Sequence, residues 1–263
     1  MLCAAKISMG IFKDNNGTHY FSAVELQAWR IVEDQSKSYT RKFVDTAHEH
    51  EVLEKLIEES KPAIKYYGDE AFFRNNHYLI FTPFRYPPLK WGSRFGTRPE
   101  RALLYAAKDI ETAMSEKAFY KLAFLQASEG NIGGTTLLST AFKLNVESSQ
   151  YIDLCAAPFK KYEDQISAKD NYEFSQNLGK KMRNNKVECF QYKSARSKKE
   201  SNNIGVFSPK ALVNNASIES TFVYFNCYST KEVVEFSARS NPRDKTIFPA
   251  TDFLVDGRIP LPP

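Results

Sequence analysis

The segment from Leu103 to Ala127, LLYAAKDIETAMSEKAFYKLAFLQA, predicts a short buried strand followed directly by a long helix. Its first five residues form an apolar run of strand length. Asp109 can cap the helix, because its carboxylate can accept hydrogen bonds from the unpaired N–H groups of the first turn. Thr112, Glu116 and Tyr120 then recur at every fourth position and share one helix face. This pattern places Glu116 beside apolar neighbours and not clearly on the solvent face.

Helices are predicted mainly in the first half of the chain and strands in the second half. Thr46 to Ser60 is a predicted helix, in which Thr46 and Glu49 have the spacing of a capping box. His77 to Phe81 is predicted to be a strand, since it is apolar and has good strand propensity. The other predicted elements are a strand through Phe142, Leu144 and Val146, a helix at Asn171–Asn185, and strands at Val187–Tyr192, Ile204–Phe207, Thr221–Tyr228 and Glu232–Phe236. This order indicates an α+β fold, because strands and helices do not alternate as in a Rossmann fold.

The size and composition of the chain favour a folded protein that works in the cytoplasm. Its 263 residues are 42% hydrophobic, which is enough for a sizeable core. The net charge of +5 suits either a nucleic acid or an anionic small ligand. No basic run is dense enough to require nucleic acid, so we expect no direct contact with it. We also expect no membrane contact, because no apolar run approaches the roughly 18 to 20 residues of a membrane span.

Several common kinds of site are excluded by the motifs that the sequence lacks. Glycine-rich dinucleotide and phosphate loops, a nucleophile elbow and the H-E-x-x-H zinc motif are all absent. The four cysteines lie far apart, and His48 and His50 are two positions apart on a predicted helix, so they face different sides. We therefore expect neither a metal site nor a bound cofactor.

One cluster of polar and aromatic residues falls within a short span: Arg85, Tyr86, Arg94, Tyr105 and Glu116. Arginine forks suit phosphate oxygens, and tyrosine rings can stack on a flat heterocycle. A carboxylate can stabilise a cationic sugar transition state. Together these groups suit a dinucleotide whose glycosidic bond is cut. The residue types alone leave a plainer alternative open, in which the arginines form surface ion pairs and Glu116 is an ordinary helix carboxylate.

The same residues resemble the RES family, which is named for an Arg, a Glu and a Ser. The similarity runs through Arg85-Tyr86, the Gly92–Gly96 loop with Arg94, Leu103-Leu104-Tyr105, and Thr112-Ala113 before Glu116. A second block is similar to the serine segment of the family: Tyr192-Lys193-Ser194-Ala195-Arg196, then Asn203, Val206-Phe207 and Ser208-Pro209. Three other serines lie near Ser194 as alternatives, namely Ser197, Ser201 and Ser208. Upstream, Ala28-Trp29-Arg30 and Lys61-Pro62 resemble the N-terminal extension of longer members.

The resemblance implies a fold like that of ADP-ribosyltransferases, with a split mixed β core and surrounding helices around an NAD⁺ cleft. Residues 1–65 would form a helical extension packed on the core, and residues 66–263 a RES domain that includes the C-terminal strands as one compact unit. It also implies a bacterial toxin that consumes NAD⁺ as its substrate. The implied partner is an antitoxin with an Xre-like DNA-binding region that plugs the cleft.

The resemblance implies catalytic roles for Arg85, Glu116 and Ser194. Because the nicotinamide of NAD⁺ already leaves as a neutral molecule, its departure needs no general acid. We expect Glu116 to stabilise the oxocarbenium-like ribose and Ser194 to hydrogen-bond that ribose. Arg85, supported by Arg94, would bind pyrophosphate or ribose oxygens, and both Tyr86 and Tyr105 would pack against the nicotinamide or its ribose.

Three classes of function stay open at this point. The first is hydrolysis or phosphorolysis of NAD⁺ with release of nicotinamide. The second is an ADP-ribosyltransferase that modifies a protein target. The third is a catalytically inactive module that binds NAD⁺ or another partner.

Overall fold

The structure is a computed structural model that describes residues 17–34, 40, 43–61, 72, 76–86, 88, 91–130 and 134–260. Within these residues the helices are α1 (Ala47–Ser60), α2 (Tyr78–Arg85), α3 (Ile110–Ala127), α4 (Glu163–Ile166) and α5 (Glu173–Asn184). The strands are β1 (Ser22–Glu33), β2 (Leu104–Ala107), β3 (Thr135–Asp153), β4 (Cys189–Lys193), β5 (Asn202–Val206), β6 (Val223–Ser229), β7 (Val233–Ala238) and β8 (Lys245–Pro249). Short 3₁₀ helices lie at Gly17–Tyr20, Phe159–Tyr162, Pro209–Ala211, Ile218–Thr221 and Ala250–Phe253.

The strands form one mixed sheet in the order β1-β2-β5-β4-β3-β6-β7-β8. The β3–β4 pairing is parallel, and the other neighbours in this order are antiparallel. Strand β1 also pairs antiparallel with β3, from Ser22 opposite Tyr151 to Glu33 opposite Ser139. The pairings of β1, β2, β5, β4 and β3 therefore close into a cycle, which β6, β7 and β8 extend. This mixed sheet with its helices confirms the predicted α+β fold.

Within this cycle of strands, β1 and β2 have the shortest pairing. These two strands share a single register pair, Trp29 opposite Ala107. Strand β2 pairs with β5 along its whole length, from Leu104 opposite Val206 to Ala107 opposite Asn203. Helix α3 contacts β1, β2 and β5, so it lies across the place where β1 and β2 diverge.

Buried apolar side chains hold the sheet and α3 together. Phe142, Leu144 and Val146 on β3 are buried and alternate with less buried residues, which confirms the strand predicted there. On α3, Phe119 and Leu122 are fully buried against side chains of β6 and β7. Burying one large apolar side chain contributes about 1.5 to 3 kcal/mol, so α3 is firmly held on the sheet.

Helix α3 begins where the sequence predicts, because Asp109 caps it. The Asp109 carboxylate accepts hydrogen bonds from the Thr112 backbone N–H at 2.8 Å, from the Thr112 hydroxyl at 2.9 Å and from the Ser201 hydroxyl. Partial desolvation raises the pKa of Asp109, but the bonds from Ser201 and Thr112 outweigh this effect and hold the pKa below its ordinary value. The cap thus joins the first turn of α3 to the residue before β5.

The prediction of a strand at His77–Phe81 is wrong, because this segment begins helix α2. The His77 imidazole accepts a hydrogen bond from the Leu79 backbone N–H at 3.3 Å and so caps the first turn. Ile80 and Phe84 are buried one turn apart, which is the spacing of a helix face. A short apolar run has no periodicity that separates a strand from a buried helix turn, and this ambiguity misled the prediction.

The expectation that residues 1–65 are helical is corrected by strand β1. The helix predicted at Thr46 to Ser60 is confirmed, since Thr46 and Glu49 form the capping box of α1. The sequence of β1, SAVELQAWRIVE, alternates in a way that indicates a strand, with Val24, Leu26 and Ala28 on one face. The boundary at residue 65 lies outside the described residues, so the division of the chain into two units stays a prediction.

Replacing Asp109 with alanine should lower the free energy of unfolding by about 1 to 2 kcal/mol at neutral pH, because α3 loses its cap. The folded-state pKa is depressed, so the contribution of Asp109 is present above its unfolded pKa of about 4 and declines as the pH falls through the folded value. Urea unfolding at pH 7 and pH 3 measures the loss, with the exposed Asp170→Ala variant as control. An equal loss at both pH values would contradict this role of the Asp109 charge.

Candidate active site

A cavity of about 310 Å³ lies where α3 crosses β1, β2 and β5. It is lined by Trp29, Arg30, Ile31, Arg94, Tyr105, Ala106, Ala107, Ala113, Glu116, Lys117, Tyr120, Tyr192 and Asn203. A larger and more open groove of about 690 Å³ lies elsewhere; it is lined by Ser208, one of the alternative serines, and by none of Arg85, Tyr86, Arg94, Tyr105, Glu116 and Ser194. The smaller cavity is therefore the candidate site, because three predicted residues, Arg94, Tyr105 and Glu116, line it.

The Glu116 carboxylate is held by two hydrogen bonds on one oxygen. Its Oε1 accepts from the Ser194 hydroxyl at 2.7 Å and from the Asn203 Nδ2 at 2.6 Å. Ser194 is 7% exposed and Asn203 is 3% exposed, so both donors are buried. Hydrogen bonds to Oε2 are absent within the described part of the chain. The carboxylate is thus fixed in one orientation, with its second oxygen available to a ligand.

The backbone around Ser194 directs its hydroxyl proton toward Glu116. Ser194 follows the last residue of β4, and its Oγ accepts hydrogen bonds from the backbone N–H groups of Arg196 at 3.2 Å and Ser197 at 3.1 Å. Because these donors occupy the acceptor side of the hydroxyl, its own proton is left to donate to Glu116.

The three neighbouring serines that the sequence left as alternatives make other contacts. Ser201 donates to Asp109, the Ser197 Oγ accepts from the Lys199 backbone N–H, and Ser208 caps the 3₁₀ helix Pro209–Ala211. Ser194 is therefore the serine of this group whose hydroxyl contacts Glu116.

Tyr105 and Arg94 are both held rigidly at the cavity. The Tyr105 hydroxyl donates to the Ser93 Oγ at 3.0 Å and accepts from the Phe95 backbone N–H at 3.0 Å. Burial raises the pKa of Tyr105 to about 12, so the ring is neutral. The Arg94 guanidinium lies 4.5 Å from the ring centroid of Tyr172 and donates to the Ala168 carbonyl at 2.7 Å.

Arg85 and Tyr86 are not among the residues that line the cavity. Arg85 is the last residue of α2, and its Nη1 lies 2.9 Å from the Oε1 of Glu58 on α1. The hydrogen bonds from Lys61 and Arg85 hold the pKa of Glu58 below its ordinary value. Tyr86 is 38% exposed. The structure thus brings Glu116, Ser194, Tyr105 and Arg94 to one place, and it places Arg85 in an ion pair between two helices.

Several residues at the cavity carry no predicted role. These are Trp29 and Arg30 on β1, Lys117 and Tyr120 on α3, Tyr192 on β4, and Asn203 on β5. Tyr192 and Asn203 are directly opposite each other in the β4–β5 pairing, so one hairpin supplies both. The signal for Trp29 and Arg30 is the alternating pattern of β1, which the helical expectation for this segment overlooked.

The charges at the cavity favour an anionic ligand. Three cationic side chains, Arg30, Arg94 and Lys117, face one carboxylate, Glu116, which is a formal excess of two positive charges. Four aromatic rings complete the walls: Trp29, Tyr105, Tyr120 and Tyr192. The cavity therefore suits a ligand that combines negative charge, flat rings and hydroxyl groups.

Two further features of the described residues bear on the kind of site. They contain no group of three His, Cys, Asp or Glu side chains that could hold a metal ion. None of their helices is long and apolar enough to cross a membrane.

The RES domain model matches residues 70–224, more than half of the chain, and the chain therefore belongs to the RES domain family. This region contains Arg94, Tyr105, Glu116, Ser194 and Asn203. No curated protein matches the chain. A similar chain among solved structures comes from the crystal structure of the M. tuberculosis MbcT–MbcA toxin–antitoxin complex. The two chains are 9% identical, with a TM-score of 0.43 over 74% of this chain and 81% of that chain.

Replacing Asn203 with aspartate should destabilise the protein at pH 8, because two carboxylates would then share the space of one hydrogen bond of 2.6 Å. The two carboxylates can share a proton, so the pKa of the pair is raised in the folded state. The stability of the variant therefore recovers as the pH falls. We expect a melting temperature well below that of the parent at pH 8 and a smaller difference at pH 5. The neighbouring Asn202→Asp variant is the control, and equal melting behaviour of the two variants would argue against the Glu116–Asn203 contact.

Proposed function

We propose that this chain cleaves the bond between nicotinamide and ribose in NAD⁺. The observation that carries the proposal is the Glu116 carboxylate, held on one oxygen by Ser194 and Asn203 in a cavity with excess positive charge and four aromatic rings. NAD⁺ has the matching parts, namely two phosphates, two sugars and two flat heterocycles. This combination of groups favours a dinucleotide over a neutral sugar or a peptide.

Glu116 is proposed to stabilise the transition state. Nicotinamide carries the positive charge of NAD⁺ and leaves as a neutral molecule, so the developing charge falls on the ribose. A carboxylate that is already oriented toward that charge needs little reorganisation during the reaction, and such preorganised groups contribute about 3 to 4 kcal/mol. Ser194 and Asn203 act on the reaction by orienting Glu116, and Oε2 can accept a hydrogen bond from a ribose hydroxyl.

The other predicted residues have proposed binding roles. The neutral Tyr105 ring offers a wall for the nicotinamide or its ribose, and Arg94 supplies a fixed positive charge for phosphate oxygens. Arg85 forms an ion pair with Glu58 in this structure. It would contribute only after its guanidinium leaves Glu58 and binds the ligand. Tyr86 follows Arg85 directly and would move with it.

We further propose that the chain is the toxin of a toxin–antitoxin pair and depletes cellular NAD⁺. Membership in the RES domain family and the resemblance of Arg85, Glu116 and Ser194 to the signature residues of RES toxins support this role. The partner would be an antitoxin with an Xre-like region that covers the cavity and so excludes NAD⁺.

Replacing Glu116 with glutamine should reduce nicotinamide release from NAD⁺ by more than about a hundredfold, because the transition state loses its negative charge while the side chain keeps its size. The matched control is Glu111→Gln, an acidic residue on the same helix that pairs with Lys199 outside the cavity. Release of nicotinamide, measured by chromatography with and without inorganic phosphate, separates phosphorolysis from hydrolysis. A mass increase on added protein would instead reveal transfer of ADP-ribose.

Several outcomes of this experiment would contradict the proposal. If the parent protein leaves NAD⁺ intact under all these conditions, the enzymatic function is wrong. If Glu116→Gln works as fast as the parent, the role of Glu116 is wrong. The parent and Glu116→Gln also test the toxin role. Expression of the parent should stop bacterial growth, and expression of Glu116→Gln should not.

Replacing Arg85 with glutamine should raise the KM for NAD⁺ by about tenfold to a hundredfold if the guanidinium leaves Glu58 to bind the substrate, because one charge-assisted interaction is lost. Glu58→Gln removes the same ion pair and keeps the guanidinium, so this variant should bind NAD⁺ at least as well as the parent. Steady-state kinetics on both variants measures the difference. Unchanged KM in Arg85→Gln would leave Arg85 with a purely structural role.

A further inference from the structure

Strand β1 contributes to the cavity although it lies outside the region that the RES domain model matches. The match covers residues 70–224, whereas β1 spans Ser22–Glu33. Pairing with β3 along nearly its whole length holds β1 in place. Through Trp29, Arg30 and Ile31 it lines the cavity together with the helix that carries Glu116.

Arg30 is a cation that forms no ion pair with the residues that the structure describes. Its Nη1 donates to the Tyr105 backbone carbonyl at 2.6 Å, and its Nε is enclosed without a hydrogen-bond partner. Among residues 17–34, 40, 43–61, 72, 76–86, 88, 91–130 and 134–260, no carboxylate lies within ion-pair distance of it. Burial lowers the pKa of Arg30 to about 10, so the guanidinium is still charged at neutral pH. A partly desolvated charge of this kind is costly unless something compensates it.

Lys117 adds a second positive charge to the same region. It lines the cavity from α3, and the described residues offer its ammonium group no ion pair. The nearby Glu33 is bound instead by Lys121, one turn further along α3, at 3.0 Å. Burial lowers the pKa of Lys117. Attraction to Glu33 opposes this shift, and weaker repulsion from Lys121 and Arg30 adds to it. The charge of Arg30 therefore adds to the cost of burying Lys117.

We propose that Arg30 and Lys117 bind a phosphate-type anion in this cavity. The Arg30 guanidinium has further N–H donors besides the one that the Tyr105 carbonyl accepts, and the Lys117 ammonium group adds a point charge. This inference rests on the proposed function in one respect, namely that the ligand binds in the cavity that Glu116 lines. The anion can be free inorganic phosphate or a phosphate of a bound nucleotide. Arg30 then gives the β1 strand a part in ligand binding that the family region alone does not provide.

Isothermal titration calorimetry on the full chain tests this assignment with three probes: ADP-ribose, adenosine and inorganic phosphate. Arg30→Gln removes the charge and keeps a donor for the Tyr105 carbonyl, and Lys117→Gln removes the second charge. Lys160→Gln is the control, because Lys160 is exposed and does not line the cavity. We expect Arg30→Gln to weaken ADP-ribose binding by about tenfold to a hundredfold and Lys117→Gln to weaken it less. Adenosine binding should not change, and Lys160→Gln should behave as the parent does.

The probes also separate the two sources of the anion. If inorganic phosphate binds the parent and loses affinity in Arg30→Gln, the site takes free phosphate. If Arg30→Gln weakens the binding of ADP-ribose but not that of inorganic phosphate, the site takes the phosphate of a nucleotide. Thermal melting checks folding, since folded Arg30→Gln should melt cooperatively. The anion should raise the melting temperature of the parent but not that of Arg30→Gln.

The inference is overturned if folded Arg30→Gln and Lys117→Gln both bind ADP-ribose and phosphate as the parent does. It is also overturned if the parent binds neither of these probes. A parent that binds ADP-ribose through Arg30 and releases no nicotinamide from NAD⁺ would refute the proposed enzymatic function and leave this inference standing.

Discussion

The pairing of β1 with β3 is the constraint on which the site depends. It closes β1, β2, β5, β4 and β3 into a cycle, while β1 and β2 meet at a single register pair, Trp29 opposite Ala107. The cycle opens between β1 and β2, because the lengths of these strands that are not paired with each other diverge with the twist of the sheet. Helix α3 crosses this opening, and the candidate cavity lies between the helix and the strands.

Glu116 shows how several elements converge to orient one side chain. Helix α3 carries the carboxylate, the end of β4 supplies Ser194, and β5 supplies Asn203. Backbone N–H groups that point at the Ser194 Oγ leave its proton for Glu116. Hydrogen bonds from buried donors to a charged acceptor are among the stronger ones in proteins, so the orientation is set before any ligand binds.

The charges around the cavity suggest that fold stability and ligand binding oppose each other here. Arg30 and Lys117 are partly desolvated without ion pairs among the described residues, whereas Lys121 and Glu33 nearby form an ordinary pair. Stability alone would favour neutral side chains at both positions. An anionic ligand would supply the missing charge, which agrees with the excess positive charge of the cavity.

Local patterns in the sequence were sufficient for α3, because a cap at Asp109 is a property of consecutive residues. The same holds for the α+β class and for Glu116 as a residue with apolar neighbours. The short run at His77–Phe81 was ambiguous, since a helix turn and a strand bury it equally well. Sequence alone could not show that Asn203 and Ser194 meet Glu116, or that Arg30 joins them from β1, because those contacts join residues more than seventy positions apart. Only the closed pairing of the strands brings such distant residues to one cavity.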